Sequence, residues 1–163
     1  MKKLALAVAV LMFTGLAFGQ KNTCEEKEKE AIIKVIQEEI DAFDARDFDR
    51  LAKTFMQDET LQRLHYSKSM HWIGFGWDEI GTAYKSMFEE RPTPRTVKRI
   101  QTDYRIKVYK ESAWASFSET RENSDVEEFK VFFFEKEKGE WKIVFMLTSN
   151  ITSYEEEKAE GDK

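Results

Sequence analysis

The sequence predicts an α+β domain in which three N-terminal helices pack on one face of a curved sheet. Amphipathic helical segments fill most of the first half of the chain, and the part after residue 96 alternates between apolar and polar residues as antiparallel strands do. Runs of helices followed by runs of strands favour a sheet with its helices on one side. A hydrophobic content of 41%, with 13 Phe and 4 Trp, is enough for one sizeable core in 163 residues.

Two helices are predicted at the start of the domain. Their apolar residues recur at spacings of three and four, which places them on one stripe of each helix: Ile32, Ile33, Ile36, Ile40 and Phe43 in the first, and Phe48, Leu51, Ala52 and Phe55 in the second. We place the first helix at residues 26–46 and the second at residues 48–56. Asp47 stands between them, where its carboxylate can cap the second helix.

Two short strands and a third helix follow. The strands are predicted at residues 60–66 and 70–75, and Gly74 and Gly76 then interrupt the pattern. The third helix is predicted to begin at an Asp78 N-cap and to end at Arg91-Pro92. Its buried stripe would contain Ile80, Tyr84, Met87 and Phe88.

A four-strand meander completes the domain, with turns predicted at residues 122–125 and 137–140. If side chains alternate strictly between the two faces of each strand, the inward residues of one strand predict those of its neighbours. If the last strand points Trp141, Ile143, Phe145 and Leu147 into the core, its neighbour points Phe129, Val131 and Phe133 the same way, and the strand beyond points in Ala115, Phe117 and Glu119.

The first residues of the chain indicate export. Lys2 and Lys3 precede a short apolar run that ends in Ala17-Phe18-Gly19, small residues at the positions a signal peptidase reads. We therefore expect a cleaved signal peptide at residues 1–19, a flexible leader at 20–25, one domain at 26–153 and a disordered acidic tail at 154–163. The mature protein would be secreted or periplasmic and not held in a membrane; an uncleaved N-terminal anchor is the alternative.

The charge balance argues against a nucleic-acid-binding protein. Without residues 1–19 the chain would lose two of its 26 basic residues and keep all 31 acidic ones, a formal charge of −7. Cys24 is the only cysteine, so no internal disulfide can form. We expect it to be an exposed thiol; lipid modification is the alternative, although the residues before it are too polar for a lipoprotein signal.

Three segments, taken in order, resemble the nuclear transport factor 2-like superfamily, and within it the SnoaL-like or ketosteroid-isomerase-like bacterial domains. They are DAFDARDFDRLAKTFMQDE, GWDEIGTAYKSMF and GEWKIVFMLTSNI, and the resemblance covers residues 26–151. It implies a cone of three helices and a strongly curved mixed sheet around one pocket. It also implies a frequent homodimer through the outer sheet face.

The resemblance does not carry the steroid-isomerase reaction with it. Those isomerases use a carboxylate base on the strand after the second helix, and Arg63 occupies that position here. A guanidinium stays protonated and cannot act as a general base. The oxyanion donors of those isomerases would fall near Glu39 and Val131, which are neither a tyrosine nor a protonated aspartic acid.

We expect the pocket to be lined by strand and third-helix residues: Arg63, Trp72, Trp77, Tyr84, Met87, Phe117 and Val131. His65 lies two residues after Arg63 and so on the same strand face, and with Glu119 it could form an acid/base pair. The simpler interpretations are a hydrogen-bonded His65 at the rim and tryptophans that pack on the third helix. His65 and His71 lack the further ligands of a metal site, so no metal or other cofactor is predicted.

The last two strands are apolar on both faces, which a sheet with one wet face should not be. Under the face assignment above, Phe132, Phe134, Val144 and Met146 would point outward, and we expect a second copy of the sheet to cover them in a homodimer. Cover by the first helix or the tail is the alternative.

The leading hypothesis is an exported binding protein for a small apolar or aromatic molecule. The first alternative is a lyase or isomerase in which His65 moves a proton. The second is a non-catalytic dimeric scaffold.

Overall fold

The structure is a computed structural model that describes residues 2–67, 70–122 and 124–150, with side chains from Cys24 onward. Three helices come first, interrupted by two strands, and four long strands follow: α1 Lys2–Ala45, α2 Phe48–Ala52, β1 Gln62–Tyr66, β2 His71–Phe75, α3 Gly76–Glu90, β3 Arg99–Val108, β4 Ser112–Arg121, β5 Glu127–Glu137 and β6 Glu140–Asn150. The predicted α+β class is confirmed. The predicted acidic tail lies outside the described residues, as do the side chains of the predicted signal peptide.

One six-stranded sheet runs in the order β2-β1-β6-β5-β4-β3. Every neighbouring pair is antiparallel except β1 and β6, which are parallel, so the sheet is mixed. The sheet curves around the helices, and the core lies between them. In the part of the chain that is described, no helix is both long enough and apolar enough to cross a membrane.

Local chemistry explains the first two helices. Arg46 has a φ of 61°, a left-handed conformation that ends α1, and the Asp47 carboxylate accepts a hydrogen bond from the Arg50 N–H at 3.0 Å, as predicted. The second helix ends four residues earlier than predicted. Its C-terminal neighbours pair with β6 instead, through Met56 N to Ile143 O at 2.9 Å and Ile143 N to Thr54 O at 2.8 Å.

The third helix begins at Gly76, two residues before the predicted cap. Gly76 has a φ of 73°, which lets the chain turn sharply from β2 into α3. Glu79 then accepts a hydrogen bond from the Phe75 N–H at 3.2 Å, so the carboxylate that serves the helix start is Glu79 and not Asp78.

The predicted faces of β5 and of the second half of β6 are wrong, for two different reasons. In β5 the hairpin register pairs Lys136 with Trp141 and Phe134 with Ile143, so the even-numbered residues share the inner face with Trp141 and Ile143. In β6 the reason is a β-bulge. Register shifts between β5 and β6 because Phe133 pairs with Phe145 while Phe134 pairs with Ile143, which leaves Val144 as an extra residue. In β6 this one-residue insertion inverts the faces of the residues beyond it. The core therefore receives Phe132, Phe134 and Met146, which were expected outside, and the outer face receives Phe129, Val131, Phe133, Phe145 and Leu147.

Candidate functional site

The strand register places a set of polar residues on the inner face of the sheet. Arg63 pairs with Gly74 and Met146, and His65 pairs with Trp72 and Thr148, so all of these share one face. The row of His65 and Thr148 continues across the sheet to Lys130 and Phe117, and Glu119 lies two residues further along β4 on the same face. The helices contribute Glu39 from α1 and Tyr84 from α3.

Arg63 lies against two aromatic rings and has no polar partner among the described residues. Its Cζ is 4.6 Å from the ring centroid of Tyr84 and 5.3 Å from that of Trp72, which are cation-π distances. Its Nε is buried without a hydrogen-bond partner, and among the described residues no hydrogen bond or ion pair reaches the guanidinium. The Tyr84 hydroxyl, on a side chain only 1% exposed, is also unpartnered. Burial raises the pKa of that hydroxyl, so it stays protonated.

Glu119, 1% exposed, is the centre of a satisfied ion network. Its Oε1 accepts hydrogen bonds from Arg99 Nη1 at 2.6 Å and Lys130 Nζ at 2.7 Å, and its Oε2 accepts one from Gln101 Nε2 at 3.1 Å. Arg99 also donates from Nε and Nη2 to the two Asp44 oxygens, each at 2.6 Å. Burial alone would raise the pKa of Glu119, but Lys130 and Arg99 outweigh it, so the pKa is lowered and the carboxylate is ionised.

Glu39 is the carboxyl group of the inner face that the network leaves out. It is 6% exposed, and no hydrogen bond to its side chain is present in the described part of the chain. Burial raises its pKa, although the charges of Lys130 and Arg63 oppose the shift. Glu39 therefore has a stronger tendency than an ordinary glutamate to carry a proton.

His65 is half-buried beside Arg63. Burial lowers its pKa, and the positive charge of Arg63 lowers it further, so the ring is neutral at neutral pH. The structure does not join it to Glu119: no hydrogen bond links the two among the described residues, and Glu119 is occupied by three other donors. The carboxylate whose charge acts on His65 is Glu128.

The other predicted pocket residues divide into two groups. Trp72 joins Arg63 and Tyr84, and Phe117 lies deeper, stacked on Tyr104 at 5.0 Å. Three lie elsewhere: Trp77 stacks on Phe48 at 6.0 Å between α2 and α3, Met87 packs at the edge of the core, and Val131 is on the outer face because of the register of β5 described above. In the described part of the chain, no group of three residues could hold a metal ion.

Sequence reasoning missed Glu39, Asp44, Arg99 and Lys130, although two of them carried a signal. Glu39 lies three residues after Ile36 in the apolar stripe of the first helix, and Lys130 has the same parity as Phe132 and Phe134. A charged residue at an apolar position of a periodic pattern is expected to need a buried partner.

The outer sheet face has a shallow groove of about 550 Å³ at one end. Trp114, Phe133 and Phe145 form one row across three strands of it, with Phe133 and Phe145 edge to face at 5.4 Å. Phe133 is 44% exposed. The groove has no ionisable group besides Glu135 and Tyr109, so it offers mainly apolar contact.

Solved structures share this fold at low sequence identity. They include a candidate dehydratase of the nuclear transport factor 2-like family from Streptomyces avermitilis, 13% identical over 77% of this chain and 97% of the other, with a TM-score of 0.64. A candidate calcium/calmodulin-dependent protein kinase type II association domain from Thiobacillus denitrificans is 15% identical over 72% and 92%, with a TM-score of 0.60. A candidate ketosteroid isomerase from Parabacteroides distasonis is 18% identical over 74% and 85%, with a TM-score of 0.57.

These identities show a common fold and nothing about the reaction. No curated protein matches the chain in sequence. The model of the SnoaL-like domain matches residues 32–153, which is most of the chain and includes the residues of the inner face from Ile36 to Asn150. The protein belongs to the SnoaL-like domain family.

Proposed function

We propose that the protein binds a small molecule on the inner face of the cone, beside Arg63, Trp72 and Tyr84. One observation carries the proposal: in the described part of the chain, Arg63 Nε and the Tyr84 hydroxyl are buried without a hydrogen-bond partner, whereas the Glu119 carboxylate accepts hydrogen bonds from Arg99, Lys130 and Gln101. An unsatisfied buried polar group costs about 1–3 kcal/mol, so a native protein retains one where something else completes it. A bound ligand would do so.

The proposed ligand is not wholly apolar. The partly exposed Trp72 ring offers contact to an apolar or aromatic body, while the Arg63 guanidinium and the Tyr84 hydroxyl require at least one acceptor atom on the same molecule. The partner is thus an amphipathic small molecule with its polar end inward.

Native mass spectrometry of the protein purified from its own host tests this proposal. We expect a bound mass on the wild type that is lost or strongly reduced in Arg63→Gln. Arg50→Gln is the matched control, because Arg50 forms only a surface ion pair with Glu38, both 43% exposed. Equal ligand occupancy in wild type and Arg63→Gln, or a wild type that carries nothing, would count against the site.

A proton-transfer enzyme is the second candidate, favoured by the position of His65. Its neutral ring can accept a proton, and Arg63 on the same face could stabilise a negative charge that develops on a substrate oxygen. In this reaction Glu119 would hold Arg99 and Lys130 in place and would not move a proton. His65→Ala should abolish turnover of any substrate found, whereas His71→Ala, on the outer face and stacked on Tyr66 at 4.1 Å, should not.

We also propose that the protein is exported and that a second copy covers the outer sheet face. The first rests on the N-terminal sequence alone, and N-terminal sequencing of the protein from its host should find a start at about residue 20. The second rests on the outer row of Trp114, Phe133 and Phe145, of which Phe133 is exposed and the other two are half-buried. A dimer that holds no ligand would favour the scaffold interpretation.

A further inference from the structure

We propose that the ligand of the inner face carries a carboxylate, which the Arg63 guanidinium binds with two parallel hydrogen bonds while an apolar body lies along Trp72. This inference rests on the proposed function above and adds the chemical class of the ligand. It depends on the charges of the inner face, on the placement of the aromatic rings and on the missing partners of Arg63.

The first step concerns charge. The charges of Arg63, Arg99 and Lys130 act on Glu39, and that of Arg121, which is paired with Glu128, acts on His65. Arg99 is paired with Asp44 and Glu119, and Lys130 with Glu119, with a Glu128 oxygen 3.6 Å away. Arg63 has no such carboxylate among the described residues. One positive charge is therefore left without a bonded partner, which fits a single negative charge on the ligand.

The second step concerns Glu39, the remaining acid that faces Arg63. It makes no hydrogen bond to the guanidinium in the described structure, and its burial favours the protonated form. A protonated Glu39 does not neutralise Arg63 and can itself donate a hydrogen bond. The Arg63 guanidinium and the Tyr84 hydroxyl are therefore donors of the inner face, and Glu39 adds a third donor when it is protonated.

The third step concerns shape. The Trp72 and Tyr84 rings lie against the guanidinium at cation-π distance, and a guanidinium that stacks on rings keeps its N–H groups, which lie in its plane, free to bind a planar acceptor. A carboxylate matches two of these N–H groups edge to edge. A phosphate would also fit the fork, but its second negative charge would find no second unpaired cation among Arg99 and Lys130, and so we favour the carboxylate.

Matched acids and amides test the inference by isothermal titration calorimetry. The acids are benzoate, phenylacetate and hexanoate, and their primary amides keep each shape and remove the charge. We expect the wild type to prefer at least one acid over its amide by roughly tenfold or more, the effect of hydrogen bonds to a charged group. Arg63→Gln should remove that preference, and Arg50→Gln should retain it.

The other results of the titrations distinguish failure of the carboxylate, failure of the assignment to Arg63 and failure of the binding function. Equal affinity for an acid and its amide would leave the binding function in place and overturn the carboxylate. An acid preference that survives in Arg63→Gln, or displacement of the acid by inorganic phosphate, would overturn the assignment to Arg63 or to a single charge. Failure of every acid and amide, together with an empty protein in native mass spectrometry, would overturn both proposals.

A second variant covers a failure to fold. Circular dichroism and thermal unfolding first establish that Arg63→Gln is native. If it is not, Arg63→Lys keeps the charge but cannot form the two-pronged contact, so the acid preference should fall several-fold. An unchanged preference in Arg63→Lys would contradict the proposed geometry.

Discussion

Replacing Glu119 with glutamine should lower the free energy of unfolding by about 3 kcal/mol. Glu119 is buried and accepts hydrogen bonds from Arg99, Lys130 and Gln101. Removing one partner of a buried ion pair usually costs about 3–5 kcal/mol, because the remaining charge stays buried without compensation. In Glu119→Gln the lower value of this range applies, because Arg99 still donates to both Asp44 oxygens and a Glu128 oxygen still lies 3.6 Å from Lys130 Nζ.

Urea and thermal unfolding measure this loss. For a domain of this size, 3 kcal/mol corresponds to a fall in Tm of about 10 °C. Glu38→Gln is the control, because it removes a carboxylate from an exposed pair with Arg50 and should cost less than about 1 kcal/mol. If the two variants lose the same stability, the network around Glu119 does not hold the fold together and the argument is refuted.

The free energy of unfolding of the wild type and of Glu119→Gln should also depend differently on pH. The pKa of Glu119 is lowered in the folded state, so the unfolded chain takes up this proton first, and the stabilisation is present above the ordinary value of 4.5 and lost as the pH falls through the folded pKa. The wild type should therefore lose more stability than Glu119→Gln on acidification below 4.5. Parallel curves for the two proteins would contradict the ion network.

Three further predictions concern other parts of the fold. Because the pKa of Glu39 is raised in the folded state, the free energy of unfolding falls as the pH rises above 4.5. Glu39→Gln should therefore stabilise the protein in neutral buffer and lose that advantage in acid, which urea unfolding at the two pH values would show. Gly74→Ala should cost about 1–3 kcal/mol in urea unfolding, because its Cβ would lie 2.7 Å from Trp72 ring carbons and 2.9 Å from Ile80 Cγ1. Phe133→Asp should weaken self-association in sedimentation; a wild type that is already monomeric at micromolar concentration would disprove the dimer.

The presence of three helices and the succession of strands along the chain could be predicted because their signals are local, whereas α1 begins at Lys2 and not at residue 26, and the parallel pairing of β1 with β6 is not a local feature. The spacing of Ile32, Ile36 and Ile40 sets the buried stripe of α1, and all three are core residues in the structure. Asp47 caps α2 through a bond that spans three residues. Such features need no knowledge of the rest of the chain.

The faces of the last strands could not be predicted, because they depend on a bulge that alternation does not show. One extra residue at Val144 moves Met146 inside and Phe145 outside. On β5, the hairpin register that places Phe134 opposite Ile143 sets Phe132 inside and Phe133 outside. Both strands are apolar on both faces, so neither assignment conflicted with the sequence. The exchange alters which side chains a partner would meet.

Only part of the candidate site could be predicted, because some of its contacts join distant segments of the chain. Arg63, His65 and Trp72 could be placed together because two adjacent strands fix their relative positions. The pair Asp44 and Arg99 joins residues 55 positions apart, and Lys130 meets Glu119 across a strand pair whose register was not known. Contacts between distant segments depend on the packing of the helices on the sheet, which periodicity does not specify.

Different polar residues of the inner face stabilise the fold and meet the proposed ligand. One group forms a hydrogen-bonded network that links α1 to β3, β4 and β5: Asp44, Arg99, Glu119 and Lys130. Its hydrogen bonds hold the helix against the sheet. The unsatisfied group around Arg63 and Tyr84 contributes no such bonds and costs stability instead. A site must be held rigidly by residues other than those that meet the ligand. Loss of Glu119 should therefore weaken folding first and binding only as a consequence, whereas loss of Arg63 should weaken binding while leaving the fold intact.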